Sequence, residues 1–292
     1  MRTNSDFVLR VSFSMAVVVG VLMGGCVSGP PQLAICPGKP NTEEALNTLA
    51  ARAGAAVPLR ANGQVMLTYH VPDKKKPERH NLPLELRFEP PGDIYIQGSI
   101  AVDPRAVILG ANDREFWLAL SPKEMSGYYI GRWDEVLDFE GLMMSPRVVL
   151  EALGIVAEPN GENDAALWSL ENKGPYDILV RRDEAGHMVR RVHLYACDYA
   201  VHKIEYFDGR GKVPAVAELG DYETVVEGFR VPTKIHVVST TPDGRKDTME
   251  ISLRGVRTTQ FNDRQRQVLF SPPDPDKFEN IYRYEAGRWV PE

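Results

Sequence analysis

Three cysteines and six histidines hold most of the side chains in this 292-residue sequence that could do covalent or metal chemistry. The histidines are His70, His80, His187, His193, His202 and His236. None stands in an HxxxH or HExxH spacing, the pattern that sets two imidazoles on one helix face around zinc. His193 and Cys197 share a face of an extended segment, but four residues of strand hold them about 13 Å apart, too far to ligate one ion. Asp134, Glu135, Asp138 and Glu140 form an acidic cluster whose spacing is not that of an EF-hand loop, so solvated surface is expected there. The sequence has no G-x-S-x-G elbow, no P-loop and no GxGxxG following a strand. No catalytic residue, metal ligand or cofactor is therefore expected, and the chain does not read as an enzyme.

Cys26 stands apart because of what precedes it. Arg2 and Arg10 flank a polar start, and Val11–Met23 is an apolar run ending in Gly24-Gly25-Cys26. The run matches an export signal and falls short of the roughly 20 residues a membrane-spanning helix needs. Leu22-Met23-Gly24-Gly25-Cys26 resembles the bacterial lipobox, with Met23 where leucine is usual; Cys26 would then be acylated and become the first residue of the mature chain. The plainer alternative is a secretory signal cleaved near Gly25 or Ser28, with Cys26 incidental. Two or more acyl chains, at roughly 0.8 kcal/mol per buried CH₂, would anchor the protein stably. Cys36 and Cys197 are left as a pair that, in an oxidising compartment, either forms a disulfide stapling the tether to the domain or remains two thiols.

The remaining composition narrows the partner class. Lys plus Arg number 34 against 40 for Asp plus Glu, a formal charge of −6, the wrong sign for a nucleic-acid binder. Loss of residues 1–25 removes Arg2, Arg10 and Asp6, leaving the mature chain more acidic still. Residues 1–25 are expected as signal peptide, 26–41 as tether and 42–292 as one β domain.

The elements that would position any site are mostly strands. Asn41 or Thr42 can cap a helix over roughly 42–54, with Ala45, Leu46, Leu49, Ala50 and Ala53 on one face and Glu44 at capping-box spacing from Asn41. From Leu59 the period becomes two: Val65, Leu67 and Tyr69; Leu82, Leu84, Leu86 and Phe88; Ile94, Ile96 and Ile100. Ser145-Pro146 opens a second short helix with Val148, Val149, Ala152 and Leu153 on its apolar face. Strands resume from about Ala166 to Val256, with turns at Asp208-Gly209-Arg210-Gly211 and Pro242-Asp243-Gly244. Ser271–Glu292, proline-rich and then aromatic, is expected along the surface. About twelve strands without βαβ alternation predict a mainly β fold: a curved antiparallel sheet forming an incomplete, unclosed barrel, with short helices as lid or plug.

The lipobox, the N-terminal amphipathic helix and the run of strands occur together with Pro90-Pro91-Gly92-Asp93, Val107–Leu118, Tyr128-Tyr129-Ile130-Gly131, Asp221-Tyr222, Gly228–Ile235 and Val268–Pro273. In this combination the chain resembles the LolA/LolB lipoprotein-carrier superfamily, which includes RseB-type periplasmic regulators and LppX/LprG-like lipid carriers. The resemblance spans roughly residues 42–273. It implies a half-barrel with a helical lid over an apolar cavity that binds acyl chains of lipids or lipoproteins. The regulator branch implies the alternative, a tethered sensor or scaffold that binds an envelope protein through a sheet edge or the C-terminal aromatic segment.

Such a site needs no catalytic motif, because burying CH₂ groups at roughly 0.8 kcal/mol each supplies the affinity. Candidate lining residues are Leu46, Leu49, Leu84, Leu86, Phe88, Ile94, Ile96, Phe116, Leu118, Leu120, Val149 and Leu153. The alternative is that the helices fill the concavity and these side chains are ordinary core. Lys74-Lys75-Lys76 with Arg79 and His80 forms a basic loop that could meet anionic headgroups or could simply be a solvated hairpin tip. The expected address is the cell envelope, with the domain on the outer membrane and facing the periplasm.

Overall fold

The computed structural model describes residues 34–292 apart from 71–73, 75, 101–102, 122–126, 134–150, 152–164, 241–242 and 286–287. The export segment, Cys26, the Asp134–Glu140 cluster, Lys75, Pro242 and the expected second helix with Val149 and Leu153 lie outside the described residues.

Helix α1 (Thr42–Gly54) begins where the sequence signals it. Asn41 is extended and its Oδ1 accepts from Glu44 N at 2.8 Å, satisfying one of the backbone donors a helix start leaves open. Glu43 and Glu44 in the first turn and Arg52 in the last suit the helix dipole. Ala45, Leu46 and Leu49 are the buried face.

The strands are β1 (Leu59–Tyr69), β2 (Glu78–Glu89), β3 (Asp93–Ile100), β4 (Asp103–Ala111), β5 (Glu115–Leu120), β6 (Gly127–Arg132), β7 (Trp168–Lys173), β8 (Tyr176–Arg182), β9 (Met188–Tyr195), β10 (Val201–Tyr206), β11 (Ala215–Val226), β12 (Phe229–Thr240) and β13 (Lys246–Thr258). A short helix α2 (Asp263–Leu269) follows, then β14 (Ile281–Glu285) and β15 (Arg288–Pro291). All join one sheet in the order β15-β14-β6-β5-β4-β3-β2-β1-β13-β12-β11-β10-β9-β8-β7. Two meanders, β1–β6 and β7–β13, meet where β1 pairs with β13 along Leu59–Thr68. Strands β7 and β15 are the two edges, so the sheet stays open.

The described residues hold fifteen strands where about twelve were expected, and the C-terminal segment is the main difference. The segment does run along the surface, with Tyr284 buried, but it adds two strands to the sheet: β14 pairs in parallel with β6 (Ile281 with Tyr128, Arg283 with Ile130) and antiparallel with β15. Its approach is held by a small outer-face core. Trp117, Ala119 and Tyr128 are buried there with the half-buried Ile108, Ile130 and Ile281 packed against them, and Phe278 stacks on Tyr128 with ring centroids 5.0 Å apart. Gly110 faces Trp117 across the β4–β5 pair; a Cβ at Gly110 would sit 2.3 Å from the indole carbons, so only glycine lets that ring lie flat on the sheet. The α2 helix, whose capping box joins Asn262 and Gln265, was also unexpected.

Candidate functional site

The period-two apolar residues converge on one face. Leu84, Leu86, Phe88, Ile94, Ile96, Phe116 and Leu118 share a single buried cluster with Leu46 and Leu49 of α1, and Leu120 packs against it half-buried. Register explains why. Leu59, Phe88, Ile94, Ala111, Phe116 and Gly131 are successive cross-strand partners in one row. Ala61, Leu86, Ile96, Leu109, Leu118 and Tyr129 form the next row. The same face continues through Val65 and Leu67, then Met249 and Ile251, Ile235 and Val237, Ala217, Ile204, Val192 and Leu179. These side chains are covered by the protein itself; Leu86 is 1% exposed and Phe88 0%.

Each end of this face has its own chemistry. Toward β15 it becomes aromatic: Phe116 lies 4.8 Å from Trp133, Tyr129 stacks on Tyr282 at 4.7 Å, and Trp289 meets Tyr129 edge-on at 5.3 Å. The sequence reading missed Tyr282, Tyr284 and Trp289, because only the long-range β6–β14 pairing brings them inward.

Helix α1 closes the end of the face where β8 begins, and it is tied on both sides. Cys36, just ahead of it, is bonded to Cys197 with the two Cα atoms 5.0 Å apart. Lys39 N donates to the buried Asp177 carboxylate at 2.7 Å, Asn172 Nδ2 donates to the same carboxylate at 2.7 Å, and the Lys39 ammonium lies over the Tyr199 ring. A Cβ at Gly38 would collide with the Asp177 carboxylate and the Asn172 amide, so a larger residue there would push apart the pair that holds Lys39 N. At the other end of α1, Arg52 Nη1 donates to Asp198 O at 2.6 Å. Helix α1 is thus held at both ends.

No family model matches the chain, and no curated protein matches it. Among solved structures it is similar to a LolA superfamily protein from Nitrosomonas europaea, at 12% identity over 80% of this chain and 98% of that one with a TM-score of 0.48. It is also similar to an outer membrane lipoprotein-sorting protein domain, described as putative, from Vibrio parahaemolyticus, at 14% identity over 79% of this chain and 100% of that one with a TM-score of 0.49. A DUF1329 family protein from Desulfovibrio piger matches at 14% identity over 79% and 97% with a TM-score of 0.49.

The polar side chains of the convex face pair with one another. His193 Nε2 meets Glu205 Oε2 at 2.8 Å, and Lys203 and Arg191 join the same carboxylate. Burial lowers the His193 pKa, against the opposing effect of its hydrogen bond to the Glu205 carboxylate. Burial would raise the Glu205 pKa, but the hydrogen bonds from His193 and Lys203 outweigh it and hold the carboxyl below its ordinary value. Among the described residues no group of three or more His, Cys, Asp or Glu could hold a metal ion, and no described helix is long and apolar enough to cross a membrane. In the basic loop, Lys74 is exposed and paired with Glu78 at 2.7 Å, and His80 meets the Tyr69 hydroxyl at 3.2 Å.

Proposed function

We propose that the chain is an envelope lipoprotein, acylated on Cys26, whose concave sheet face takes up acyl chains of a lipid or of another lipoprotein. The observation that carries this reading is the unbroken apolar inner face, which runs from β5 through β1 and β13 to β8 on a sheet that never closes. Eight strands already make a barrel that side chains can just fill. A wider open sheet presents one long apolar face, for which an acyl chain is a natural partner at roughly 0.8 kcal/mol per buried CH₂. The inner side chains are covered by the protein itself, so uptake requires the covering residues to be displaced. With α1 anchored at both ends, entry is expected away from it.

Native mass spectrometry and solvent extraction of the protein purified from membranes should reveal bound lipid. A protein that is always empty and shows no saturable binding of a fluorescent fatty acid would refute the carrier reading. Cys26→Ser should release the chain from membranes, and continued attachment would contradict acylation.

A further inference from the structure

One row of the inner face is polar. Trp168, Arg181, Arg190 and Tyr206 are successive cross-strand partners on β7, β8, β9 and β10. They lie at the end of β8 opposite to Asp177 and helix α1. Directly opposed side chains in a sheet have Cβ atoms about 5 Å apart, and like charges so placed destabilise. Two neighbouring arginines on an otherwise apolar wall therefore call for an anion. The chain supplies one: the buried Glu151 carboxylate accepts from Arg190 Nη1 and, at 2.7 Å, from the Tyr206 hydroxyl. The donors are not exhausted. Arg190 lies over the Trp168 ring at 4.9 Å, and both Arg190 Nε and Trp168 Nε1 are buried without a hydrogen-bond partner. A buried donor left unpaired costs about 1–3 kcal/mol, so an acceptor that reached these two nitrogens would recover that cost. Two residues further along each strand, roughly 7 Å deeper, the wall turns apolar at Leu179, Val192 and Ile204.

Polar donors at the rim with aliphatic wall beneath are the complement of an anionic amphiphile. We infer that Trp168, Arg181, Arg190 and Tyr206 form a headgroup site for the phosphate or carboxylate of the acylated ligand, which competes there with the Glu151 carboxylate. Guanidinium forks suit both oxyanions. The site rests on the carrier reading and adds to it a ligand class, a single anionic head on an aliphatic tail.

The test measures binding of hexadecyl phosphate, palmitate and neutral hexadecanol to the full chain. Both anionic probes should bind about tenfold or more tightly than hexadecanol, as expected for one charged hydrogen-bonded contact. Preference for hexadecyl phosphate assigns the site to a phosphate headgroup, and preference for palmitate assigns it to a free fatty acid. Glu151→Gln, which removes the competing carboxylate, should tighten the anionic probes and leave hexadecanol unchanged. Arg190→Gln made together with Glu151→Gln, so that no buried carboxylate is stranded, should erase the preference, again without changing hexadecanol binding. Equal affinity for all three probes, or hexadecanol weakened as much as the anions in the double variant, overturns the headgroup site and leaves the carrier reading standing. Absence of saturable binding by any probe overturns both.

Discussion

Breaking the Cys36–Cys197 link tests the way this chain is tied together. The two residues lie 161 apart in sequence, so the bond closes a loop over more than half of the chain. In the chain-entropy description, opening a loop of that length frees about 5 kcal/mol of unfolded-state entropy at 25 °C, the top of the range that disulfides deliver. The native state should change little. Lys39 N still donates to Asp177 and its ammonium still lies over Tyr199, so residues 36–41 stay docked without the bond. The loss should therefore appear in the unfolding equilibrium and not in the folded spectrum. For a chain of this size about 2 °C of melting temperature accompanies each kcal/mol, giving a drop of about 10 °C. The assay is urea and thermal unfolding of the Cys36→Ala/Cys197→Ala chain against the oxidised parent, followed by far-UV and near-UV circular dichroism. An unchanged urea midpoint, with thiol titration showing the parent fully oxidised, would refute the reasoning. So would a loss of near-UV signal before unfolding begins, since that would mean the bond holds the native packing itself.

Two further outcomes follow from local geometry. Gly110→Ala drives a Cβ into the fully buried Trp117 ring, which has nowhere to retreat; overpacking of this kind costs about 1–3 kcal/mol. It should lower the urea midpoint and alter the tryptophan near-UV bands, whereas full stability would mean the indole does not lie on the sheet. Burial, reinforced by Glu89 and Asp113, pushes the Asp93 carboxyl up to about 6. Because the folded state holds that proton more tightly than the unfolded one, the stabilisation is fully present below pH ~4 and is lost as pH rises through about 6. Allowing for solvent screening of this half-buried group, the loss is of order 1 kcal/mol. Asp93→Asn should remove that part of the pH dependence, and a stability gap from the parent that stays constant between pH 4 and 7 would sink the assignment.

The features visible in the sequence are those set by near neighbours along the chain. Helix α1 shows itself through Asn41, Glu44 and the Ala45–Leu46–Leu49 face, because a cap and a helical stripe involve residues three or four apart. Strands β1 to β3 show themselves through their alternation, which also picks out Leu84, Leu86, Phe88, Ile94 and Ile96 as inward-facing. Alternation says which side of a strand is apolar but not which strand lies beside it. The parallel pairing of β14 with β6, which draws Tyr282 and Trp289 inward, joins segments about 150 residues apart and leaves no local mark.

The sequence by itself determined a mainly β chain with a capped N-terminal helix, an acidic charge, and one apolar face across successive strands. All of these follow from side-chain periodicity, local hydrogen bonding and composition. Tertiary structure alone decided that Cys36 meets Cys197, that α1 is held at both ends, and that Trp168, Arg181, Arg190 and Tyr206 line up at one end of the apolar face with Glu151 among them. In the sequence Arg181 and Arg190 look like ordinary solvated strand residues. Their burial and partners come from the register of four strands and from a carboxylate 39 residues before Arg190, and register is set by the packing of the whole sheet and not by any segment within it.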